Sequence, residues 1–215
     1  MIIVTAASVV ERIWIPRLPG VRGVVTGMGT SAGKRLAQAL NAAENASLIL
    51  ATGFCGGLSG DIAAGTIIIG SEIELEGKRI EVDPSLVNGA QRALAAKQVS
   101  FRVGRIVTTD NVIRSPQEKE MLSRTKAIAV DMESGILSRI ALDAGIAFLP
   151  LRVVLDSRDR SLPFTGDRLD ALRSIVHPVS TLRLLATMIF AGRALASAIT
   201  AITTKPTFRR EECVA

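Results

Sequence analysis

Short apolar runs and helical stripes alternate along the chain. Ile2–Thr5, Gly23–Thr26 and Leu48–Thr52 are brief runs rich in β-branched residues or leucine. Uninterrupted runs of this length predict strands buried on both faces. Between them, Ser31–Asn45 carries Ala32, Leu36, Ala39, Leu40 and Ala43 at helical spacing. Thr66–Glu74 and Arg79–Val82 predict two strands turned at Glu76-Gly77, and Pro84–Gln98 a helix. Val103–Thr108 predicts a further strand. Ser115-Pro116-Gln117-Glu118 is a helix start, with Ser as N-cap, Pro at the first helical position and Glu closing a capping box. Ala127–Val130 predicts a strand, Asp131–Ala144 a helix and Phe148–Leu155 a strand, and two helices fill Gly166–Thr203. The alternation implies one α/β domain over residues 1–204 around a largely buried sheet, followed by a polar, basic and mobile tail over residues 205–215. There is no internal repeat and no linker.

Composition narrows this little. At 215 residues, with 48% hydrophobic and 21% charged, the chain can build one sizeable core. The net charge of +6, part of it after Arg158, permits contact with phosphates or anionic lipid without requiring either. Two cysteines, Cys55 and Cys213, and the lone His177 offer no metal-ligand spacing, so no metal is expected, and a reducing, cytoplasmic setting follows most simply. The first residues, "MIIVTAASVVERIW", lack a basic leader and predict a strand. Leu184–Thr203 is apolar enough to raise a membrane span. The central Arg193, costing about 2.5–3.5 kcal/mol on insertion scales, favours a packed helix.

Two glycine loops are candidates for chemistry. Gly27–Arg35, "GMGTSAGKR", lies between a strand and a helix. It is not a P-loop: counting back from Gly33 puts Met28 where the first glycine belongs, and Arg35 replaces the magnesium-binding hydroxyl. It is not a dinucleotide loop, because Ala32 takes the last glycine slot. Either an anion on backbone amides at a helix start or a plain tight turn accounts for Gly27 and Gly29. In "ATGFCGGLSGDIAAGTIII", residues Ala51–Ile69, the glycines Gly53, Gly56 and Gly57 allow close approach of a ligand or positive φ, and the residues alone do not choose.

Carboxylates are the sharper signal. In "AVDMESGIL", Asp131 reads as a helix N-cap, while Glu133 shares the apolar face of Ile136, Leu137 and Ile140. "FLPLRVVLDS" ends in Asp156. Ligands of open α/β sheets gather beyond the carboxyl ends of strands, so Asp131, Glu133 and Asp156 are expected on one sheet edge. Glu11, after the first strand, is by itself an ordinary solvated helix residue.

Together these blocks resemble the nucleoside phosphorylase and nucleosidase superfamily, over roughly Ile2 to Ala198. "ATGFCGGLSGDIAAGTIII" is similar to its glycine-rich block, "AVDMESGIL" to its sugar-binding motif and "LRVVLDS" to its aspartate-bearing strand. The resemblance implies a three-layer α/β domain with a central mixed sheet flanked by helices, and a homo-oligomer. It implies that the enzyme cleaves the N-ribosidic bond of a small-molecule purine nucleoside, with no nucleic acid partner and no cofactor beyond phosphate as co-substrate. By resemblance Glu133 accepts from the ribose hydroxyls, Met132 packs on the sugar, and Asp156 protonates the leaving purine. Val112 and Ile113 line the base, with Phe54 or Phe164 stacking on it, and Cys55 and Gly56 complete the substrate wall. Glu11 corresponds to the water-activating glutamate of hydrolytic relatives, and Gly27, Gly29 and Arg12 are the candidate phosphate contacts. Asp131 stands where the family has Glu and is left as a cap. Phe54 and Ala51 stand where phosphorylases place Ser and Arg.

The compact length, "EVDPSL" and the apolar, basic C-terminal region resemble most closely the hopanoid-associated phosphorylases. That implies phosphorolytic release of adenine from adenosylhopane, a lipid-linked substrate, with peripheral membrane contact through the basic tail. The alternative is a hydrolytic nucleosidase acting on a 5′-substituted adenosine of the methylthioadenosine, adenosylhomocysteine or futalosine type. A further alternative is a non-catalytic purine-binding or membrane-peripheral protein.

Overall fold

The computed structural model describes residues 1–29, 31–43, 45–113, 115–159, 178–205 and 208, and only the backbone of 178–181. In chain order the elements are β1 (Ile2–Ala6), α1 (Val9–Arg12), β2 (Val21–Val25), α2 (Ser31–Asn41), β3 (Leu48–Gly57), β4 (Ile67–Leu75), β5 (Lys78–Glu81), α3 (Pro84–Ala95), β6 (Phe101–Thr108), α4 (Pro116–Ser123), β7 (Ala129–Asp131), α5 (Ser134–Asp143), β8 (Ala147–Asp156) and α6 (Pro178–Thr203).

All eight strands join one mixed sheet. β2, β1, β3 and β8 run parallel, while β4, β6 and β7 run against them. β3 pairs with both β7 and β8, and β4 with both β6 and β8, so β3, β7, β6, β4 and β8 close a ring. Strand alternation sorts the core into layers. Ile2, Val4, Leu48 and Leu50 face a cluster with α3 and α6, while Ile3, Ile49 and Ala51 face Ala32 and Leu36 of α2 and Leu137 of α5. A third cluster, with Cys55, Ile68, Ile106, Ala129 and Val154, comes from the ring strands. Helices on both faces explain why the strand runs are apolar throughout.

Several boundaries differ from the sequence expectation. β3 continues through its glycines to Gly57 instead of stopping at Thr52, because β8 pairs along its whole length and β7 captures Gly56 and Gly57. α5 starts at Ser134, not Asp131, since Asp131 is still paired to Thr108 of β6. The first of the two helices expected in Gly166–Thr203, together with Phe164 and His177, lies outside the described residues.

The C-terminal half of α6 is a core helix, with Ala191, Leu195, Ala198, Ile199 and Ile202 buried. Leu182–Thr203 also meets the length and hydropathy of a membrane span, and Leu182, Leu185, Ile189 and Phe190 are exposed. Within the expected tail, Phe208 is buried, joins the α3–α6 cluster and packs on Gly89. Among the rest of the tail, residues 206–207 and 209–215, including Arg209, Arg210 and Cys213, lie outside the described residues.

Candidate active site

A cavity of about 230 Å³ opens where β1, β3, β6, β7 and β8 end or begin to diverge. Its walls are Phe54, Cys55, Gly56, Val112, Ile113, Val130, Met132 and Leu155, with Ala7, Met28, Thr109 and Asn111 around them, and its acids are Glu11, Asp131, Glu133 and Asp156. The expected catalytic residues Asp156 and Glu11 and the expected substrate contacts Glu133, Met132, Phe54, Cys55, Gly56, Val112 and Ile113 therefore line one pocket, while Phe164, the other candidate for stacking on the base, lies outside the described residues.

The acids do not share one sheet edge through parallel strands, as expected from the sequence. β7 runs antiparallel to β3 and β8 parallel to it. They converge because β7 is three residues long and pairs only with the last two residues of β3, which places its exit over the end of β8.

At one end lies a buried charge cluster around Arg152, which is 1% exposed. Its Nη2 pairs with Asp131 Oδ2 at 2.7 Å and its Nη1 with Glu133 Oε2 at 3.5 Å. Nε and Nη2 donate to Ser134 Oγ at 3.1 Å, and Nη1 donates to the Thr52 carbonyl at 3.2 Å. Asp131 also accepts from Thr108 Oγ1 at 2.8 Å and from the Ser134 amide at 3.1 Å. It thus serves the start of α5 from two residues before the N-cap, which is Glu133, and the N-cap role expected for Asp131 gives way to anchoring of the guanidinium.

Glu11 was expected to be solvated on its own reading, yet it is 7% exposed. Ser8 caps α1 and forms a capping box with it, so Oε2 accepts from the Ser8 amide at 3.1 Å and from the Ala7 amide at 2.6 Å. Oε1 reaches across to the Phe54 amide at 3.0 Å. Gly53 is required here. Its φ is +150°, and a Cβ would stand 2.6 Å from Arg152 Nη1 and 3.2 Å from Glu11 Oε1. The close approach at this glycine is made by the chain's own charged groups.

Glu133 is 5% exposed and precedes α5 instead of lying on its apolar face. Burial raises its pKa from 4.5 to about 7, opposed by Arg152 and reinforced by Asp131 and Glu11. The Gly29 backbone amide is a hydrogen-bond partner of its carboxylate. Arg152 thus faces three carboxylates, and this end of the pocket holds an excess of acid.

At the other end Asp156, 6% exposed, pairs with Lys119 Nζ from α4. Burial raises the Asp156 pKa and the Lys119 contact opposes the rise. Cys55, between the two ends, has its thiol pushed well up by burial, so it is a neutral wall. Among the described residues no cluster of ligating side chains could hold a metal.

The candidate phosphate contacts fare differently. Arg12 is not in the pocket wall: its guanidinium lies over Gly23 and Nη1 donates to the Ile15 carbonyl at 3.3 Å. Gly27 and Gly29 both have positive φ and form the turn into α2. Only Met28 of that loop lines the cavity, and the acid beside Gly29 is Glu133 itself. Sequence reasoning assigned no role to Arg152 or Lys119. An arginine inside the apolar strand "FLPLRVVLD" was the available signal for the first. Nothing in "PQEKEMLS" distinguishes Lys119 from a solvated helix lysine.

Comparison with known proteins agrees with this architecture. The sequence model of the phosphorylase superfamily matches residues 12–174. A 5′-methylthioadenosine/S-adenosylhomocysteine nucleosidase of Baumannia cicadellinicola is 28% identical, over 53% of this chain and 58% of its own length. That of Staphylococcus epidermidis is 23% identical over 52% and 58%. The matched region thus spans little more than half the length of these relatives. Three solved structures share the fold over 94% of this chain. The Helicobacter pylori nucleosidase has a TM-score of 0.75 at 16% identity, with 97% of its chain covered. The futalosine hydrolase of the same organism has 0.75 at 16%, with 96% covered. The Neisseria meningitidis nucleosidase has 0.74 at 20%, with 97% covered.

Proposed function

This chain belongs to the phosphorylase superfamily, and on that premise we propose that it hydrolyses the N-ribosidic bond of a 5′-substituted adenosine, releasing adenine. The observation that carries the reading is the two-ended pocket: a buried acid paired with a lysine at one end, and a surplus of carboxylates with Arg152 at the other. The purine lies against Val112, Ile113 and Phe54, and the vicinal ribose hydroxyls donate to the Glu133 carboxylate, with Met132 against the sugar. As the C1′–N9 bond breaks, its electron pair goes to the purine, and Asp156 donates a proton at N7. The sugar becomes oxocarbenium-like beside the excess carboxylates, which favour that charge. A water held by Glu11 attacks C1′ and gives up its proton to that carboxylate.

Hydrolysis is favoured over the phosphorolysis expected from the closest sequence resemblance. The named relatives are nucleosidases and a futalosine hydrolase. The positions where phosphorylases place Arg and Ser are Ala51, buried in the core, and Phe54. Arg12 is turned away, and Gly29 faces Glu133. Adenine release from methylthioadenosine in phosphate-free buffer, with ¹⁸O from water appearing at C1 of the sugar, is the expected result. Release that requires phosphate would overturn it.

The second reading, phosphorolysis of lipid-linked adenosylhopane, retains one observation: Leu182, Leu185, Ile189 and Phe190 are exposed on a helix of a chain carrying +6. Co-sedimentation with anionic but not neutral vesicles, reversed by salt, together with phosphate-dependent adenine release, would favour it. Homo-oligomerisation, part of the same family expectation, is read by light scattering.

A further inference from the structure

The acid at the purine end does not stand alone. α4 starts at a capping box in which Ser115 Oγ accepts from the Glu118 amide at 3.2 Å and Glu118 Oε2 accepts from the Ser115 amide at 2.9 Å. A start fixed at both donors sets the rotation of the helix. Its fourth residue, Lys119, therefore turns inward and is fully buried. Nζ donates to Asp156 Oδ2 and, at 2.8 Å, to the Ser157 carbonyl. Gly56, in the pocket wall, lies beside the pair: a Cβ there would stand 3.6 Å from Asp156 Oδ1 and 3.7 Å from Lys119 Cε. One carboxylate oxygen, Oδ2, is thus held by the ammonium, while Oδ1 is the one nearest the wall residue Gly56. Burying a lysine sacrifices hydration and side-chain freedom, and a buried ion pair by itself adds little stability over an apolar pair. A role in the chemistry of Asp156 accounts for its place.

We propose that Lys119 is a positioning residue for the leaving-group acid: it anchors Oδ2, presents Oδ1 to the purine, and stabilises the carboxylate that remains when Oδ1 gives up its proton. This rests on the reading of Asp156 given above. The step balances without another reactant. The Oδ1–H bond breaks and an N7–H bond forms, the C1′–N9 electron pair stays with the purine, and the negative charge left on Asp156 faces the ammonium. Solvent reprotonates the carboxylate after the purine leaves.

The consequence is a trade. Lys119 makes Asp156 a stronger acid than burial alone would, so the proton transfers more readily but is lost at lower pH. Among the described residues, the other charged or titratable groups near this end of the pocket are engaged elsewhere or neutral. Cys55 on β3 is held neutral by burial, Arg152 is engaged by Asp131 and Glu133, and Arg158 beyond β8 pairs with Glu120 on α4 at 3.7 Å.

The test is the pH profile of kcat/KM for adenine release from methylthioadenosine by wild type, Lys119→Met and Lys119→Arg. The methionine variant should lose at least about tenfold in its plateau. Its alkaline limb should move up by about one pH unit or more, because Asp156 holds its proton longer. The arginine variant, which keeps the charge, should hold the limb near its wild-type place. Lys119→Gln reads in the same way if the methionine variant fails to fold. A merely structural lysine would lower the plateau and leave the limb unmoved, and that result in a folded neutral variant would overturn the proposal while the function stands. No adenine release by the wild type would remove the functional reading, and the proposal with it.

Discussion

Replacing Glu133 by glutamine should make this protein more stable above neutral pH while weakening its grip on ribose. Glu133 is buried, and its pKa rises from 4.5 to about 7 because the folded protein cannot hydrate its charge and places Asp131 and Glu11 nearby. The folded state therefore binds the proton more tightly than the unfolded chain. Between these two values the folded protein keeps the proton and the unfolded chain has lost it, so stability falls as pH rises through that window. A displacement of this size, at about 1.4 kcal/mol per tenfold change in proton affinity, is worth ~3 kcal/mol. Glutamine has nearly the same shape and nothing to ionise. Relative to wild type, the variant should gain ~3 kcal/mol as pH rises from below 4.5 to above 7, most of it between pH 5 and 8. Urea unfolding of both proteins at pH 5, 6, 7 and 8.5, at one protein concentration and ionic strength, measures the difference directly. A gap that stays constant with pH would refute the account of Glu133. The same variant should lose more activity on a ribonucleoside than on its 2′-deoxy analogue, since an amide presents one acceptor oxygen where a diol meets two. Equal losses would remove Glu133 from ribose recognition.

Asp156→Asn should lower kcat by about 10²–10⁴-fold with little change in KM, because the proton is given in the transition state; a loss under tenfold in the folded variant would refute its role. Arg152→Met should destabilise the protein by ~3–5 kcal/mol near neutral pH, since Asp131, Glu133 and Glu11 would then face one another without a cation; denaturant unfolding within 1 kcal/mol of wild type would count against the cluster. Phe208→Ala should cost ~3–5 kcal/mol if the aromatic ring closes the α3–α6 core as placed, and an unchanged unfolding midpoint would return the whole tail to the solvent.

Much of the sheet was readable because both of its faces are covered. Ile2 to Val4 and Leu48 to Leu50 alternate between two apolar layers, so no polar face interrupts the run. The extension of β3 to Gly57 was not readable, because glycines that close a strand and glycines that end one look alike until the partner strand is known. The same limit hid the direction of β7. Three residues cannot declare an orientation, and the capture of Gly56 by Val130 depends on contacts 74 positions apart. The acids were visible as types in apolar surroundings. Their partners were less so: Arg152 could have been suspected in its strand, whereas Lys119 sits among charged neighbours and owes its inward turn to the capping box. Glu11 illustrates the opposite failure. A glutamate in a one-turn helix reads as solvated, whereas the capping box at Ser8 and the Phe54 amide from β3 hold this one at 7% exposure.

On the proposed function, the opposed strand directions also supply the chemistry. Breaking an N-ribosidic bond separates charge along one line, with electrons moving to the base and positive charge appearing on the sugar. A pocket at one sheet edge would gather its acids at one end of that line. Here β8 delivers Asp156 with Lys119 at one end, where a single cation faces a single acid and would balance the carboxylate left once its proton is given. β7, entering from the other direction, delivers Asp131 and Glu133, which with Glu11 outnumber Arg152 at the other end. Between them the wall of Cys55, Gly56 and Val130 is neutral. Glu11, Asp131, Glu133 and Asp156 are all buried, so the imbalance among them is weakly screened by solvent. It favours the charge-separated transition state more than the neutral substrate, which is the condition for lowering the barrier and not merely tightening binding. Burial is the main cause of the raised Glu133 pKa, and Asp131 and Glu11 add to it against Arg152, so the same surplus contributes to holding a proton on Glu133.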